Sequence, residues 1–292
     1  MDTNELIKKV RKIEIRTRGL SKNIFSGEYH SAFKGKGMAF NEVREYQYGD
    51  DIRTIDWNVT SRFNHPYIKV FEEERELTVI LLVDVSASEL FGTRGQTKRD
   101  LITELSAVLA FSSLQNNDKI GLIFFSDKIE KFIPPKKGRS HVLRIIRELI
   151  DFKPDHRTGT DLKVALKYVL NVIKKRSIVF ILSDFLDNEF DEPMKIISKK
   201  HDTIAVRIYD KSETEIPDIG LITALDAESG ELLTFDSSVK HVRDNYKLWW
   251  KVKEERLNEL MNKNKIDMIN LATDESYIKP LINFFKKRGS RV

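Results

Sequence analysis

The chain contains no cysteine. That excludes disulfides, thiolate zinc sites and cysteine nucleophiles. Long hydrophobic runs are missing too: the longest are about five residues, against the roughly 18 or more that span a bilayer. Residues 1–10 carry Asp2, Glu5, Lys8 and Lys9, so they lack the apolar core of a signal peptide. Histidines are few and scattered (His30, His65, His141, His156, His201, His241), and no HExxH motif is present. This argues against a zinc site. Neither sign of charge dominates, with 50 basic against 45 acidic residues and a formal net charge of +5. Such a mild excess permits contact with an acidic partner or a membrane surface but gives no case for nucleic acid. These absences together lead us to expect a cytoplasmic protein with no transmembrane segment.

What remains is a globular composition. Hydrophobic residues make up 40% of the 292 positions and charged ones 33%, which suits one large domain or two smaller ones. The most informative stretch is Leu77 to Ser88, LTVILLVDVSAS. Val79 to Val83 are all apolar and rich in β-branched types. Bounded by the charged run Glu72 to Glu76, they read as a strand buried on both faces. The run ends abruptly in Asp84-Val85-Ser86-Ala87-Ser88. Alternate residues of an extended chain point the same way, so Asp84, Ser86 and Ser88 can converge on one point. A site of one carboxylate and two hydroxyls is hard and oxygen-only, and suits Mg²⁺ or Mn²⁺.

From Leu77 onward, strand patterns alternate with helix patterns. IGLIFF, SIVFIL and Thr203 to Tyr209 are further core strands, and Ile129 to Ile133 is a short strand stopped by Pro134-Pro135. Helical periodicity marks Lys98 to Leu114, a helix capped by Ser140, Asp161 to Lys174, Glu192 to Lys200, Val239 to Asn262 and Tyr277 to Lys287. Leu221 to Phe235 reads as a hairpin turned at Gly230. Such alternation predicts a doubly wound, mostly parallel α/β sheet of Rossmann type, with helices on both faces. We assign residues 77–292 to that domain. Residues 1–76 precede it as an N-terminal helix (Asn4 to Thr17) and a small β-rich unit, with strands expected in FNEVREY, IRTIDWNV and YIKVF. GKGMAF has no Ser or Thr after its lysine and follows no strand, so it is not a P-loop.

In a parallel sheet all strand-to-helix loops open on one edge, where α/β sheets bind ligands. Three such loops carry oxygen ligands. The first supplies Asp84, Ser86 and Ser88. The second, R-T-G-T-D, supplies Thr160. The third supplies Asp184, after SIVFILS. Two carboxylates roughly balance a divalent ion, and one face stays open to a carboxylate from a partner. The alternative is that Asp84, the serines and Thr160 only cap helices.

DVSAS, GTDLKVAL and the SD after a hydrophobic strand together resemble the metal-ion-dependent adhesion site (MIDAS) of von Willebrand factor A domains. FNEVREYQYGDDIRTIDWNVTSR, HPYIKVFEEERE, KGRSHVLRIIREL, LSDFLD and the segment Ile216 to Gly220 resemble the bacterial domain-of-unknown-function 58 family, from about Gly27 to Phe285. The resemblance implies a von Willebrand A-like domain with Asp84, Ser86, Ser88, Thr160 and Asp184 as its metal ligands. It also implies chaperone or adaptor work beside a MoxR-type AAA+ ATPase. One position departs: the family usually has methionine after DxSxS, and here it is Glu89. A carboxylate so close either joins the site or faces solvent.

The expected function is therefore metal-dependent protein binding, without catalytic residues and without an organic cofactor. The alternative is a magnesium-dependent phosphate-ester hydrolase or phosphotransferase using a strand-end aspartate as nucleophile. Some enzymes of that kind want a second aspartate two residues on, and here that position is Ser86. In GDDIRTIDW we expect buried Asp–Arg hydrogen bonds with Trp57 as a packing anchor. Of Trp249 and Trp250, adjacent on a helix, one is expected in the core and one outside.

Overall fold

The computed structural model describes residues 39–63, 65–72, 76–93, 96–152, 159–187, 189–225 and 231–290. The expected helix at Asn4 to Thr17 and the turn at Gly230 lie outside them. Two compact units divide the chain, one within Phe33–Leu77 and the other from Thr78 onward.

In the smaller unit, β1 (Ala39–Glu45) pairs antiparallel with β2 (Tyr67–Glu72). The piece between them is not the expected strand. It forms a 3-10 turn at Ile52–Thr54 and then helix α1 (Trp57–Phe63). Two aspartates explain the difference. Asp51 accepts from the N–H of Arg53, and Asp56 accepts from the N–H groups of Asn58 and Val59. Such local carboxylate bonds favour helix starts over strand ladders. The Asp–Arg pair is not the buried one expected within that segment: Asp50 is gripped by Arg44, from β1, in a partly exposed two-pronged contact of 2.7 and 2.8 Å. It holds the Asp50 carboxyl below the usual carboxylate range. Trp57 is exposed, so it is not the packing anchor its size suggested.

The larger unit is built on six strands. Its chain order runs β3 (Thr78–Asp84), α2 (Lys98–Gln115), β4 (Lys119–Phe125), β5 (Ile129–Lys136), α3 (Arg139–Asp151) and α4 (Leu162–Val172). It continues through β6 (Ile178–Ser183), α5 (Asp191–Lys200), β7 (Asp202–Tyr209), the hairpin β8 (Leu221–Leu225) and β9 (Leu232–Asp236), α6 (Lys240–Lys263), β10 (Asp267–Ala272) and α7 (Ile278–Gly289). The sheet order is β10-β7-β6-β3-β4-β5. All neighbours are parallel except β5, which returns antiparallel to β4 and runs through Pro134 and Pro135 to Lys136. As an edge strand, β5 can lose donors to proline without breaking an inner ladder. Its continuation is Gly138, at φ 98°, which takes the cap position of α3 in place of Ser140.

Strand β3 sits in the middle, and Val79 to Val83 are buried. Ile80 and Leu82 join one core cluster with Ile123, Val179, Ile181 and residues of α4, α5 and α6. Val79, Leu81 and Val83 face the other way, where α2 packs on β3, β4 and β7. Helix α2 is buried almost all round, which is the position of a central helix. On α6, Trp250 is buried and Trp249 exposed, as expected. Among the described residues no helix is long and apolar enough to cross a membrane.

Candidate metal centre

Parallel register brings the carboxyl ends of β3, β4 and β6 level. Val83 pairs with Leu182 and Asp84 with Phe125, so Asp84 stands beside Ser183. The Ser183 hydroxyl donates to Asp84 Oδ2 at 2.7 Å, and the Ser86 N–H donates to Asp84 Oδ1 at 3.0 Å. Beyond Asp84 the chain enters a short 3-10 turn, Ala87–Leu90. Ser86 occupies its cap position but makes no side-chain capping bond. Its hydroxyl instead lies 3.0 Å from that of Ser88. Capping therefore does not account for these serines.

The third loop delivers Asp184. Its Oδ1 accepts from the N–H of Leu186 at 3.1 Å, while the N–H of Phe185 reaches back to Ser183 Oγ at 3.2 Å. Phe185 adopts φ 57°, an unusual conformation for a bulky residue. This sharp turn keeps the Asp184 carboxylate at the strand end. The second loop is tied to both neighbours of β3. The N–H of Asp161 donates to the carbonyl of Ser126, just past β4, at 2.9 Å. The N–H of Leu162 donates to Asp187, just past β6, at 2.8 Å. Thr160 thus lies on the same rim, half-buried like Ser88. The cap of α4 is Asp161, whose carboxylate accepts from Val164.

Carboxylate oxygens of Asp84, Asp184 and Glu89 all lie within 4.8 Å of one another, and all three residues are buried. Glu89 therefore faces the site and not solvent. Both its oxygens are buried without a hydrogen-bond partner. Burial, and then the charge of Asp184, push the Asp84 carboxyl up to about 7. Burial also raises the Glu89 pKa well above that of an ordinary glutamate.

One side chain here was not singled out from the sequence. Lys98, the first residue of α2, is fully buried and donates to Asp184 Oδ2 at 2.9 Å. Its ammonium is also 2.9 Å from Oε1 of Glu213, in the turn after β7. Burial works to strip its proton, but Asp184, Glu89 and Glu213 outweigh burial and hold its pKa above the usual lysine value. Burial in turn raises the pKa of Glu213. The cluster thus holds four carboxylates and one ammonium. This oxygen-rich, net acidic set fits a hard divalent cation.

An α/β unit with this sheet, and with Asp-x-Ser-x-Ser at the end of its central strand, is a von Willebrand factor A-like domain. The chain belongs to the family described as "Protein of unknown function DUF58", whose model matches residues 42–256. It is 28% identical over 291 residues to the uncharacterized protein Rv1480 of Mycobacterium tuberculosis, covering 99% of this chain and 91% of that one. Its fold is similar to that of an aerotolerance-related membrane protein from Bacteroides fragilis. The TM-score is 0.51 at 14% identity, covering 74% of this chain and all of that one (100%). The VWA domain of SpRpn10 aligns with a TM-score of 0.41 at 11% identity, over 72% of this chain and 95% of that one.

Proposed function

We propose that this chain is a metal-dependent protein-interaction module. In this reading Asp84, Ser86, Ser88, Thr160 and Asp184 hold a divalent ion, Mg²⁺ or Mn²⁺. The ion supplies a full positive charge at the rim, against which an acidic side chain of a partner protein docks. Excluding water on docking would strengthen that attraction.

The observation that carries the reading is the buried triad of carboxylates whose oxygens fall within 4.8 Å. Like charges at that spacing are costly unless a proton or a cation joins them. Ser88 and Thr160 are half-buried while the carboxylates are buried, which suits a partner approaching from the side of those two residues. The family resemblance supports a MoxR-type AAA+ ATPase as that partner, with this chain as its adaptor or chaperone component. Hydrolysis of phosphate esters is the weaker reading, because Ser86 stands where a second aspartate would assist.

Thermal unfolding tests the metal. At a hundredfold excess over Kd, an ion bound only to the folded state adds about 2.7 kcal/mol. Mg²⁺ or Mn²⁺ is expected to raise the melting temperature of the wild type and to have little effect on Ser86→Ala. Equal shifts in both proteins, or none in either, would overturn the reading. A pull-down with and without EDTA then identifies what the loaded site retains.

A further inference from the structure

We propose that Glu89 is a metal ligand supplied by the chain itself, occupying the coordination position that a partner's carboxylate would otherwise take. The inference rests on the metal-centred reading above and concerns the regulation of that same site.

The three clustered carboxylates are not equivalent. Asp84 Oδ1 and Oδ2 accept from the Ser86 N–H and the Ser183 hydroxyl. Asp184 Oδ1 and Oδ2 accept from the Leu186 N–H and Lys98. Each of these four oxygens has one lone-pair site spent. Glu89 spends none, since both its oxygens are buried and without a hydrogen-bond partner, yet they are held in the cluster. A buried polar group without a partner is disfavoured. The 3-10 turn nevertheless fixes Glu89 there, with its N–H donating to the carbonyl of Ser86 at 3.2 Å.

Charge points the same way. Lys98 offsets one of the four carboxylates around it, and a divalent ion would offset two more. The ion is then fully neutralised by this chain alone, with one negative charge left over. A partner's acid meets an occupied position and must displace Glu89. The centre is self-closed at rest, and acid capture is gated by the 3-10 turn.

The test titrates Mn²⁺ into wild type, Asp84→Asn, Glu89→Ala and Glu89→Met, following binding by calorimetry and the hydration of bound Mn²⁺ by water-proton relaxation. Glu89→Met keeps the side-chain volume should Glu89→Ala fail to fold, and circular dichroism checks each variant. Loss of a ligand is expected to weaken Mn²⁺ binding by about tenfold or more. It is also expected to raise the relaxivity per bound ion, as water takes the emptied position. Acetate, as a stand-in for a partner's acid, should then lower that relaxivity in the Glu89 variants at concentrations that leave wild type unchanged. Glu89 variants with wild-type affinity and relaxivity, beside an Asp84→Asn that no longer binds, would overturn the proposal and leave the metal reading standing. A wild type that binds no Mn²⁺ would overturn both.

Discussion

The ammonium of Lys98 lies 2.9 Å from Oδ2 of Asp184, and neither residue reaches solvent. The same ammonium bonds Glu213, so the first turn of α2 is pinned both to the end of β6 and to the turn after β7. A buried pair of this kind gains little over an apolar substitute, but losing one partner strands the other charge. Lys98→Met is therefore expected to destabilise the domain by about 3–5 kcal/mol, measured by denaturant unfolding. Neutralising the stranded acid in Lys98→Met/Asp184→Asn should recover part of that loss. An additive double mutant would mean that the two side chains are not coupled.

Acidity gives a second prediction. Burial, and then the charge of Asp184, push the Asp84 carboxyl up from 3.8 to about 7, and burial shifts Glu89 in the same direction. Between those values the folded state holds protons that the unfolded state has released, so stability falls as pH rises. His201 works oppositely: burial lowers it from 6.5 to about 4, so its contribution grows as pH rises across that interval. That growth fades about one pH unit above 6.5, once the unfolded imidazole is neutral too, and beyond that only the carboxylates count. In chelator, the melting temperature should drop from pH 6.5 to 8, and Asp84→Asn/Glu89→Gln should flatten the slope. Excess Mg²⁺ should also flatten it in wild type, because the ion takes the place of the protons. A wild-type slope unaffected by either change would sink this account.

The sequence made some of this centre legible and hid the rest. Asp84, Ser86 and Ser88 stand out because a five-residue apolar run stops abruptly at alternating oxygen-bearing residues. Their meeting with Asp184 follows from parallel strands, whose carboxyl ends share one edge. Lys98 had no such signal. It sits in Thr97-Lys98-Arg99-Asp100 at a helix start, where a lysine reads as solvated. Its partners, Asp184 and Glu213, come from segments far away in sequence. Ser183, just past SIVFIL, carries no signal of its own in the sequence, although its hydroxyl bonds Asp84. Ile52 to Val59 reads as a strand from its β-branched residues, but Asp51 and Asp56 accept from the N–H groups just after them and start helical turns instead.

The turn between β5 and α3 offers a backbone test. Gly138 sits at φ 98° and ψ 155° with nothing within 4 Å of an added Cβ. Space is therefore not the constraint. The conformation is, since side-chain-bearing residues rarely adopt it, at a cost of about 1–3 kcal/mol. Gly138→Ala should lower the unfolding free energy by that amount while leaving Mg²⁺ or Mn²⁺ affinity unchanged. A neutral substitution would show that the turn relaxes without strain.

Ser183 separates support of the centre from membership in it. Its hydroxyl donates to Asp84 at 2.7 Å and accepts from the N–H of Phe185 at 3.2 Å, joining the ends of β3 and β6. Ser183→Ala removes the donor to Asp84 Oδ2 and leaves the Phe185 N–H without that acceptor. The stability cost should be about 1–3 kcal/mol, the usual penalty for stranding buried polar groups. Losing the donor also frees Asp84 to turn and favours its protonated form, so Mn²⁺ affinity should fall by about 10- to 100-fold, as for other supporting partners of metal ligands. The pH midpoint of Mn²⁺ binding should move upward with it, because the ion must displace a more tightly held proton. Ser183→Thr, which keeps the hydroxyl, should restore that midpoint. A Ser183→Ala protein of lower stability but unchanged midpoint would assign Ser183 to packing alone.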